Sequence, residues 1–227
     1  MSTVNNKHLI INAICKLIGG LGIIALLLFF PAGTWHYWQG WLFIALLFVP
    51  MTTMGAWLLH SNPELLAKRL NNKEKQQEQK SVVALSGLMF IMGFVLCGLD
   101  VRFGWSDIPL WLVISASLLF LVGYAMYAEV MRENTYLSRT IEIQEGQRVI
   151  DTGLYAIVRH PMYFATVLMY IAMPLVLGSA WALLVFMVYP LLIVKRIRNE
   201  EQILLAGLPG YADYQQRVRY RLIPFLW

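Results

Sequence analysis

The sequence contains a short segment, residues 153–163, whose residue types could bind an anion at the start of a helix. Within it, Arg159, His160 and Pro161 follow one another. Proline favours the first position of a helix, where an N–H group would have no partner, so we expect a helix to begin at Pro161. The N–H groups of its first turn, with the Arg159 guanidinium, would then suit a carboxylate or a phosphate. The plainer alternative is that Arg159 reaches lipid phosphates and His160 only caps the helix.

A second segment, residues 195–201, ends in two adjacent carboxylates, Glu200 and Glu201. Arg196 precedes Glu200 by four residues and Arg198 precedes Glu201 by three, so each pair could meet on the surface of a helix. Taken alone, the pattern is typical of a solvated helix end. Placed beside the first segment, the carboxylates could instead bind an ammonium group or the hydroxyls of a ribose.

A third segment follows a predicted helix break at residues 207–210. There Tyr211, Tyr214, Val218 and Arg221 recur at spacings of three, four and three, which predicts a short helix with one aromatic and apolar face. We expect this face to lie along a membrane surface. Simple anchoring by tyrosine and arginine would explain the same spacing.

The composition indicates that these segments belong to a multi-pass membrane protein. The 227 residues are 59% hydrophobic and 14% charged, whereas a soluble domain carries about 25% charged residues. Apolar blocks of about 20 residues match helices that cross a bilayer, and four spans are predicted at residues 9–30, 40–59, 81–99 and 108–130. Cys15 and Cys97 lie in apolar stretches and indicate neither a disulfide nor a metal site. Aromatic residues expected at the membrane edges are Trp35, Tyr37, Trp38, Trp41, Trp105 and Trp111.

The fifth apolar block, residues 163–194, is best explained as a hairpin of two short helices. As one helix its 32 residues would extend about 48 Å, and each half about 24 Å. Pro174, Gly178 and Ser179 favour a break in the middle. A hairpin also places 17 of the 18 Lys and Arg residues on one side, with Arg102 opposite. The positive-inside rule then predicts about six spans, with both termini and all three segments in the cytoplasm.

The predicted protein is therefore all-α: a polytopic membrane helix bundle, with a short cytoplasmic helix near its C-terminus. We expect one membrane domain over residues 1–227, made of a four-helix part (1–131) and a part containing the loop, hairpin and tail (132–227). A bacterial-type inner membrane or its equivalent is the expected location. The net charge of +5 comes from basic residues that flank apolar blocks, which argues against a nucleic-acid partner. Nothing in the sequence indicates a protein partner.

Residues 134–227 resemble the isoprenylcysteine carboxyl methyltransferase family and its phospholipid methyltransferase relatives. Three separated motifs match in order and spacing, whereas the first four helices match only as a hydrophobic pattern. The motifs are Gly153-x-Tyr155 to Arg159-His160-Pro161-x-Tyr163, Arg198-x-Glu200-Glu201-x-x-Leu204, and Tyr211-x-x-Tyr214 with Arg217-Val218 to Pro224.

The resemblance implies a membrane methyltransferase that uses S-adenosylmethionine and acts on a lipid-like acceptor. A carboxylate acceptor needs only a positive partner, whereas an amine acceptor would lose a proton to Glu200 or Glu201. By resemblance, Arg159 and Arg196 would orient the acceptor, and Glu201 would complete the catalytic group. The residues that would bind the cofactor are Tyr155, His160, Pro161, Tyr163, Glu200, Glu201, Tyr211 and Tyr214.

Two other functions compete with methyl transfer. Membrane sterol reductases that use NADPH share a similar Arg-His-Pro stretch and a tail run like Arg221-Leu-Ile-Pro224. A small transporter would place ionisable groups near the middle of the membrane, but the only candidates are Lys16, near one end of its span, and Glu129, at the edge of the fourth span. The reductase is therefore the stronger alternative.

Overall fold

The computed structural model describes residues 6–70, 77–138 and 143–227, and within these ranges the regular structure is entirely helical. This confirms the predicted all-α class. One turn of 3-10 helix, Gly153–Ala156, precedes the corner at Pro161. The α-helices are α1 (Asn6–Ala32), α2 (Trp38–Ser61), α3 (Pro63–Leu70), α4 (Gln77–Phe103), α5 (Leu110–Glu133), α6 (Pro161–Val176), α7 (Ala180–Phe186), α8 (Tyr189–Gly207) and α9 (Tyr211–Arg217).

Five helical stretches are long and apolar enough to cross a membrane: Lys7–Ala32, Trp38–Ser61, Lys80–Phe103, Leu110–Glu133 and Ala180–Gly207. The first four contain the predicted spans, except that α5 starts two residues late because Pro109 is its extended N-cap. The helix α6 is shorter, with 16 residues, or about 24 Å. Helices α7 and α8 are separated by a turn, because Pro190 cannot donate to the carbonyl four residues earlier.

The predicted break in the last apolar block lies between α6 and α7. The helix α6 continues past Pro174, and Gly178 then adopts a positive φ of 77°, which glycine tolerates best. Ser179 caps α7 by accepting from the N–H of Ala182 and also hydrogen-bonds to the buried Asp100. Tyr37, one of the aromatic residues expected at the membrane edges, is the N-cap of α2. It is 1% exposed, and its hydroxyl donates to the Leu177 carbonyl.

Helices α5 and α6 pack closely along their length, which fixes where α6 begins. At Gly123 of α5, a Cβ atom would lie 2.7 Å from Cγ of Met169 and 3.0 Å from the carbonyl oxygen of Ala165. Only glycine allows this approach. Around this contact, Phe43, Phe120 and other buried side chains form the main apolar core. The start of α6 is thus positioned by backbone packing deep in the bundle.

Two smaller clusters lie at one end of the bundle, the end that carries α3 and the start of α6. In one, Leu65 and Leu66 of α3 pack with Leu58 and Met131. In the other, Tyr211, Tyr214 and Val218 pack with Leu208 and with side chains of the segment before α6. The expected membrane-facing stripe was therefore wrong, because these three side chains face inward and are at most 8% exposed.

Candidate functional site

A buried ion cluster joins the start of α6, the end of α8 and the tail. Glu201 accepts hydrogen bonds from Arg159 Nε to its Oε1 and from Arg221 Nε to its Oε2, each at 2.7 Å. His160 Nε2 lies 3.4 Å from the same Oε1. The side chains of Arg159 and Glu201 are each 4% exposed. The hairpin therefore brings the first two predicted segments together, as the sequence analysis expected.

The tail is held against the corner formed by Arg159, His160 and Pro161. The N–H groups of Arg159 and His160 donate to the carbonyls of Tyr220 and Arg221, both at 2.9 Å. Arg159 Nη1 also donates to the carbonyls of residues 218 and 219, at 2.7 and 2.9 Å. Because Arg159 makes three side-chain hydrogen bonds within the protein, these contacts favour a structural role for it. Its assignment as an acceptor-orienting residue stays a prediction.

The anion seat expected at the first turn of α6 is largely used by the protein itself. The N–H groups of Tyr163 and Phe164 donate to the His160 carbonyl at 3.1 and 3.2 Å. This part of the sequence-based expectation was wrong, because the backbone of the N-cap residue satisfies those donors. The His160 side chain makes no capping hydrogen bond. Its ring instead stacks on Tyr163, with centroids 5.7 Å apart.

Beside the ion cluster lies a polar cleft with an empty volume of about 880 Å³. Its walls come from the segment before the 3-10 turn, the corner, the end of α8 and α9. Glu201 does not line it, since its carboxylate points into the ion cluster behind the wall. Ten residues were predicted as site residues, and nine of them line the cleft: Tyr155, Arg159, His160, Pro161, Tyr163, Arg196, Glu200, Tyr211 and Tyr214.

A chain of polar contacts crosses the floor of this cleft. The Tyr163 hydroxyl donates to Glu200 Oε2 at 2.6 Å and accepts from Arg196 Nε at 2.9 Å. Tyr163 therefore bridges the two charged residues that were expected to pair along the helix. The expectation that Arg198 pairs with Glu201 was wrong. Glu201 faces inward with the arginines of the ion cluster, whereas Arg198 is exposed.

Three tyrosines form the opposite wall, and one of them has an unsatisfied hydroxyl. Tyr214 donates to the carbonyl of Tyr155 at 2.8 Å, and the Tyr155 hydroxyl accepts from Asn134 at 2.9 Å. The buried Tyr211 hydroxyl has no hydrogen-bond partner in the described part of the chain. Burial, followed by the Glu201 and Glu200 charges, raises the pKa of Tyr211. It is therefore a protonated donor at neutral pH, on a residue that lines the cleft.

An apolar cleft with an empty volume of about 1370 Å³ adjoins the polar one. Leucine, methionine and tyrosine side chains of α2, α3, α5 and α6 form most of its lining, and Arg69 of α3 lies at one edge. Sequence reasoning missed Arg69, which stands in a basic run with no diagnostic spacing. The two clefts share four lining residues: Ser138, Met162, Tyr163 and Arg196.

The fold and these two clefts define a class: a polytopic helical membrane protein in which a polar cleft adjoins an apolar one. Residues 112–206 match the model of the isoprenylcysteine carboxyl methyltransferase (ICMT) family. The match runs from the first turn of α5 to near the end of α8, and it confirms the family resemblance over the first two motifs. The third motif, from Tyr211 to Pro224, lies beyond the matched residues.

Two relatives are sterol reductases. A Delta(14)-sterol reductase of Mus musculus is 32% identical over 91 residues, which cover 39% of this chain and 22% of that protein. A Delta(14)-sterol reductase of Methylotuvimicrobium alcaliphilum is 21% identical over 136 residues, covering 53% of this chain and 32% of that protein. The chain thus matches at most about a third of the length of these curated relatives.

Proposed function

We propose that this protein is a membrane methyltransferase that transfers a methyl group from S-adenosylmethionine to a lipid-like acceptor. The observation that carries the proposal is the meeting of a polar and an apolar cleft at Tyr163 and Arg196. Both residues lie in the segment that matches the methyltransferase family. A reaction between a polar cofactor and an apolar acceptor needs such a junction, because a polar surface must bind the cofactor and an apolar surface must bind the acceptor.

The polar cleft has the groups that this cofactor requires. When bound, S-adenosylmethionine supplies a methyl group activated by its positive sulfur, and S-adenosylhomocysteine is the by-product. Glu200 could hold the ribose hydroxyls or the ammonium group, and the unpartnered Tyr211 hydroxyl could donate to the ligand. Leu204 and Leu208 offer an apolar surface for an adenine ring. These features of the cleft fit the cofactor.

On the acceptor side, the leucine and methionine lining suits a prenyl or acyl chain. Arg196 stands at the junction and could orient an acceptor carboxylate, which would leave as its methyl ester. If the acceptor were an amine, Glu200, which accepts from Tyr163 beside the junction, could take the released proton. We assign Arg159 and Glu201 to positioning, because their contacts join α6, α8 and the tail. From the positive-inside rule we infer that this end, and both termini, lie in the cytoplasm of a bacterial-type inner membrane or its equivalent.

The direct test is binding of radiolabelled S-adenosylmethionine to the purified protein in lipid nanodiscs. Removal of the charge by Glu200→Gln should weaken binding about tenfold, the effect of losing one charge-assisted hydrogen bond. The matched control is Glu64→Gln, an exposed position on α3 outside both clefts. A wild-type protein that does not bind this cofactor would refute the proposal. Lipids from cells with and without the protein, compared for a gain of 14 Da, would identify the acceptor.

A second candidate function is an NADPH-dependent reductase, supported by the similarity to the two sterol reductases. The same nanodiscs decide between the candidates in a thermal-shift assay. Stabilisation by S-adenosylmethionine but not by NADPH supports methyl transfer, and the reverse result supports the reductase. The polar cleft is the expected site in either case, so Glu200→Gln should reduce whichever shift is seen.

A further inference from the structure

Residues 221–227 of the tail form a compact turn that is closed by main-chain hydrogen bonds. The N–H groups of Arg221 and Leu222 donate to the main-chain oxygen of Trp227, both at 2.9 Å. The N–H group of Trp227 donates to the Ile223 carbonyl at 3.1 Å. The Arg221 guanidinium carbon also lies 5.3 Å from the centre of the Trp227 ring. The side chains at the tip of the turn therefore project from an ordered backbone.

The tip of this turn exposes two large apolar side chains. Phe225 is 89% exposed and Leu226 is 75% exposed. The Phe225 ring contacts that of Tyr220, with centroids 5.3 Å apart, but this contact covers little of it.

Phe225 also has a strained backbone. Among the described residues, it is the non-glycine residue with a positive φ, at 64°. A residue with a Cβ atom adopts this conformation at an energetic cost that glycine avoids. The chain thus places a phenylalanine where glycine would suit the backbone better, and exposes an apolar ring there. Strain of this kind, retained at an exposed position, indicates a function for the side chain.

The turn lies at the edge of the membrane-spanning region. Leu222 belongs to the main apolar core together with Ile193 and Ile197 of α8, and Trp227 packs against that core. The two isoleucines are part of the stretch Ala180–Gly207, which is apolar enough to cross a membrane. Main-chain bonds from the corner to the carbonyls of residues 220 and 221 hold the other side of the turn at the start of α6. The exposed tip therefore adjoins helices that are expected to be surrounded by lipid.

The charge of the tail suits an anionic lipid surface. Residues 214–227 contain three arginines and no aspartate or glutamate. Arg217 and Arg219 are both exposed, although Arg217 also pairs with Asp151 at 2.8 Å. Exposed apolar side chains flanked by basic ones are typical of segments that lie at the level of lipid headgroups.

We propose that residues 221–227 are an interfacial anchor, whose Phe225 and Leu226 side chains insert into the lipid bilayer beside the start of α6. Arg219 lies at the level of the lipid phosphates in this arrangement. The membrane contact that the sequence predicted for Tyr211 and Tyr214 is then made by the segment that follows α9. The partner is a lipid surface, so the proposal goes beyond the proposed reaction and does not depend on it. Because Arg221 of the same turn binds Glu201, the anchor also holds the ion cluster at the membrane surface.

The experiment measures the membrane depth of a nitroxide attached to Leu226→Cys in the full chain, in a cysteine-free background. The protein is placed in nanodiscs made of equal amounts of phosphatidylcholine and phosphatidylglycerol, one copy in each nanodisc. Electron paramagnetic resonance compares collisions of the nitroxide with oxygen, which concentrates in the bilayer, and with a nickel chelate, which stays in water. The matched control is a nitroxide at Gln216→Cys, an exposed position on α9 outside both clefts.

The nitroxide at position 226 should be several-fold less accessible to the nickel chelate than the nitroxide at position 216, and more accessible to oxygen. Equal accessibility to the nickel chelate at the two positions would overturn the proposal. Low accessibility to both reagents at position 226 would also overturn it, because that result means burial in protein. A second copy of the chain cannot produce the expected result, since each nanodisc holds one protein.

Two variants with the label at position 226 test Phe225 itself. Phe225→Gly removes the ring and suits the positive φ, so the unfolding temperature in detergent should stay the same or rise. Its nitroxide should nevertheless become more accessible to the nickel chelate, because much of the inserted apolar surface is lost. Phe225→Leu keeps an apolar side chain at the same position and should retain the depth of the label. A lower unfolding temperature for Phe225→Gly, or an unchanged depth of its label, would contradict the anchor.

Discussion

Among the described residues, the Tyr211 hydroxyl is a buried side-chain group that lacks a hydrogen-bond partner. A buried hydroxyl without a partner costs about 1–3 kcal/mol of stability, and under the proposed function a bound ligand would relieve that cost. Tyr211→Phe should therefore raise the melting temperature of the ligand-free protein or leave it unchanged, while it weakens S-adenosylmethionine binding several-fold. Thermal unfolding and cofactor titration of the same sample measure both effects.

Tyr214→Phe provides the comparison at the neighbouring position. The Tyr214 hydroxyl donates to the Tyr155 carbonyl, so its loss should lower stability by about 1 kcal/mol and should lower the melting temperature. If both variants destabilised the ligand-free protein equally, the Tyr211 hydroxyl would have a partner within the protein, and its role as a ligand donor would be lost.

Glu201 is the buried carboxylate at the centre of the ion cluster. It neutralises Arg159 and Arg221 at 2.7 Å each while it is itself almost fully buried. Removal of one partner from a buried ion pair costs about 3–5 kcal/mol, because the other charge is left uncompensated. Glu201→Gln should therefore lower the melting temperature strongly and expose the tail to protease.

The neighbouring Glu200→Gln is the control for this change, because Glu200 is only half-buried and faces the cleft. It should lose cofactor affinity with little loss of stability, the opposite pattern to Glu201→Gln. The two adjacent carboxylates would thereby be separated into a ligand-binding and a positioning residue. Equal stability losses in the two variants would contradict this division.

At the scale of the elements, the close contact of α5 and α6 sets the position of the corner and hence of the polar cleft. Gly123→Ala places a Cβ atom 2.7 Å from Met169 and 3.0 Å from a backbone oxygen. Because backbone cannot move aside cheaply, the helices must separate, with an expected loss of about 1–3 kcal/mol. Gly87→Ala in α4 is the control, since no atom lies within 4 Å of its added Cβ. Unfolding in detergent should distinguish the two variants, and equal stability of both would show that α6 is positioned by other contacts.

The elements also show what the sequence could and could not predict. The hairpin was predictable, because the length of the block, Gly178 and the distribution of charge all favour a break. The partners of a helix face were not predictable from spacing: Tyr211 and Tyr214 repeat as a membrane-facing stripe would, but they pack against the segment before α6. Similarly, the three-residue spacing of Arg198 and Glu201 permits a pair, but the packing of α8 turns Glu201 toward Arg159 and Arg221. Spacing determines which residues share a face, whereas only tertiary packing determines what that face meets.

At the scale of the whole molecule, the protein divides into a family-matched part and a surrounding part. The matched residues 112–206 supply α5, the corner and both charged residues of the cleft floor. Helices α2 and α3, outside that match, supply one side of the apolar cleft. The sequence did not predict that Arg69 lines the apolar cleft, because that depends on how α3 packs against the other helices. We expect cofactor binding to depend mainly on the matched part and acceptor choice on α2 and α3.

The topology of the whole chain is the last prediction. If α6 and the stretch Ala180–Gly207 form a hairpin that crosses and returns, the loop before α6 and the tail must lie on the same side. The positive-inside rule places that side in the cytoplasm. Single cysteines in a cysteine-free background test this at three exposed positions, Asp107, Glu145 and Asp213. In intact cells, a membrane-impermeant maleimide should label Asp107→Cys only, and Glu145→Cys and Asp213→Cys should react after permeabilisation. Labelling of Asp213→Cys but not Glu145→Cys in intact cells would mean that the last block crosses once, which the shared ion cluster of Arg159 and Glu201 does not allow.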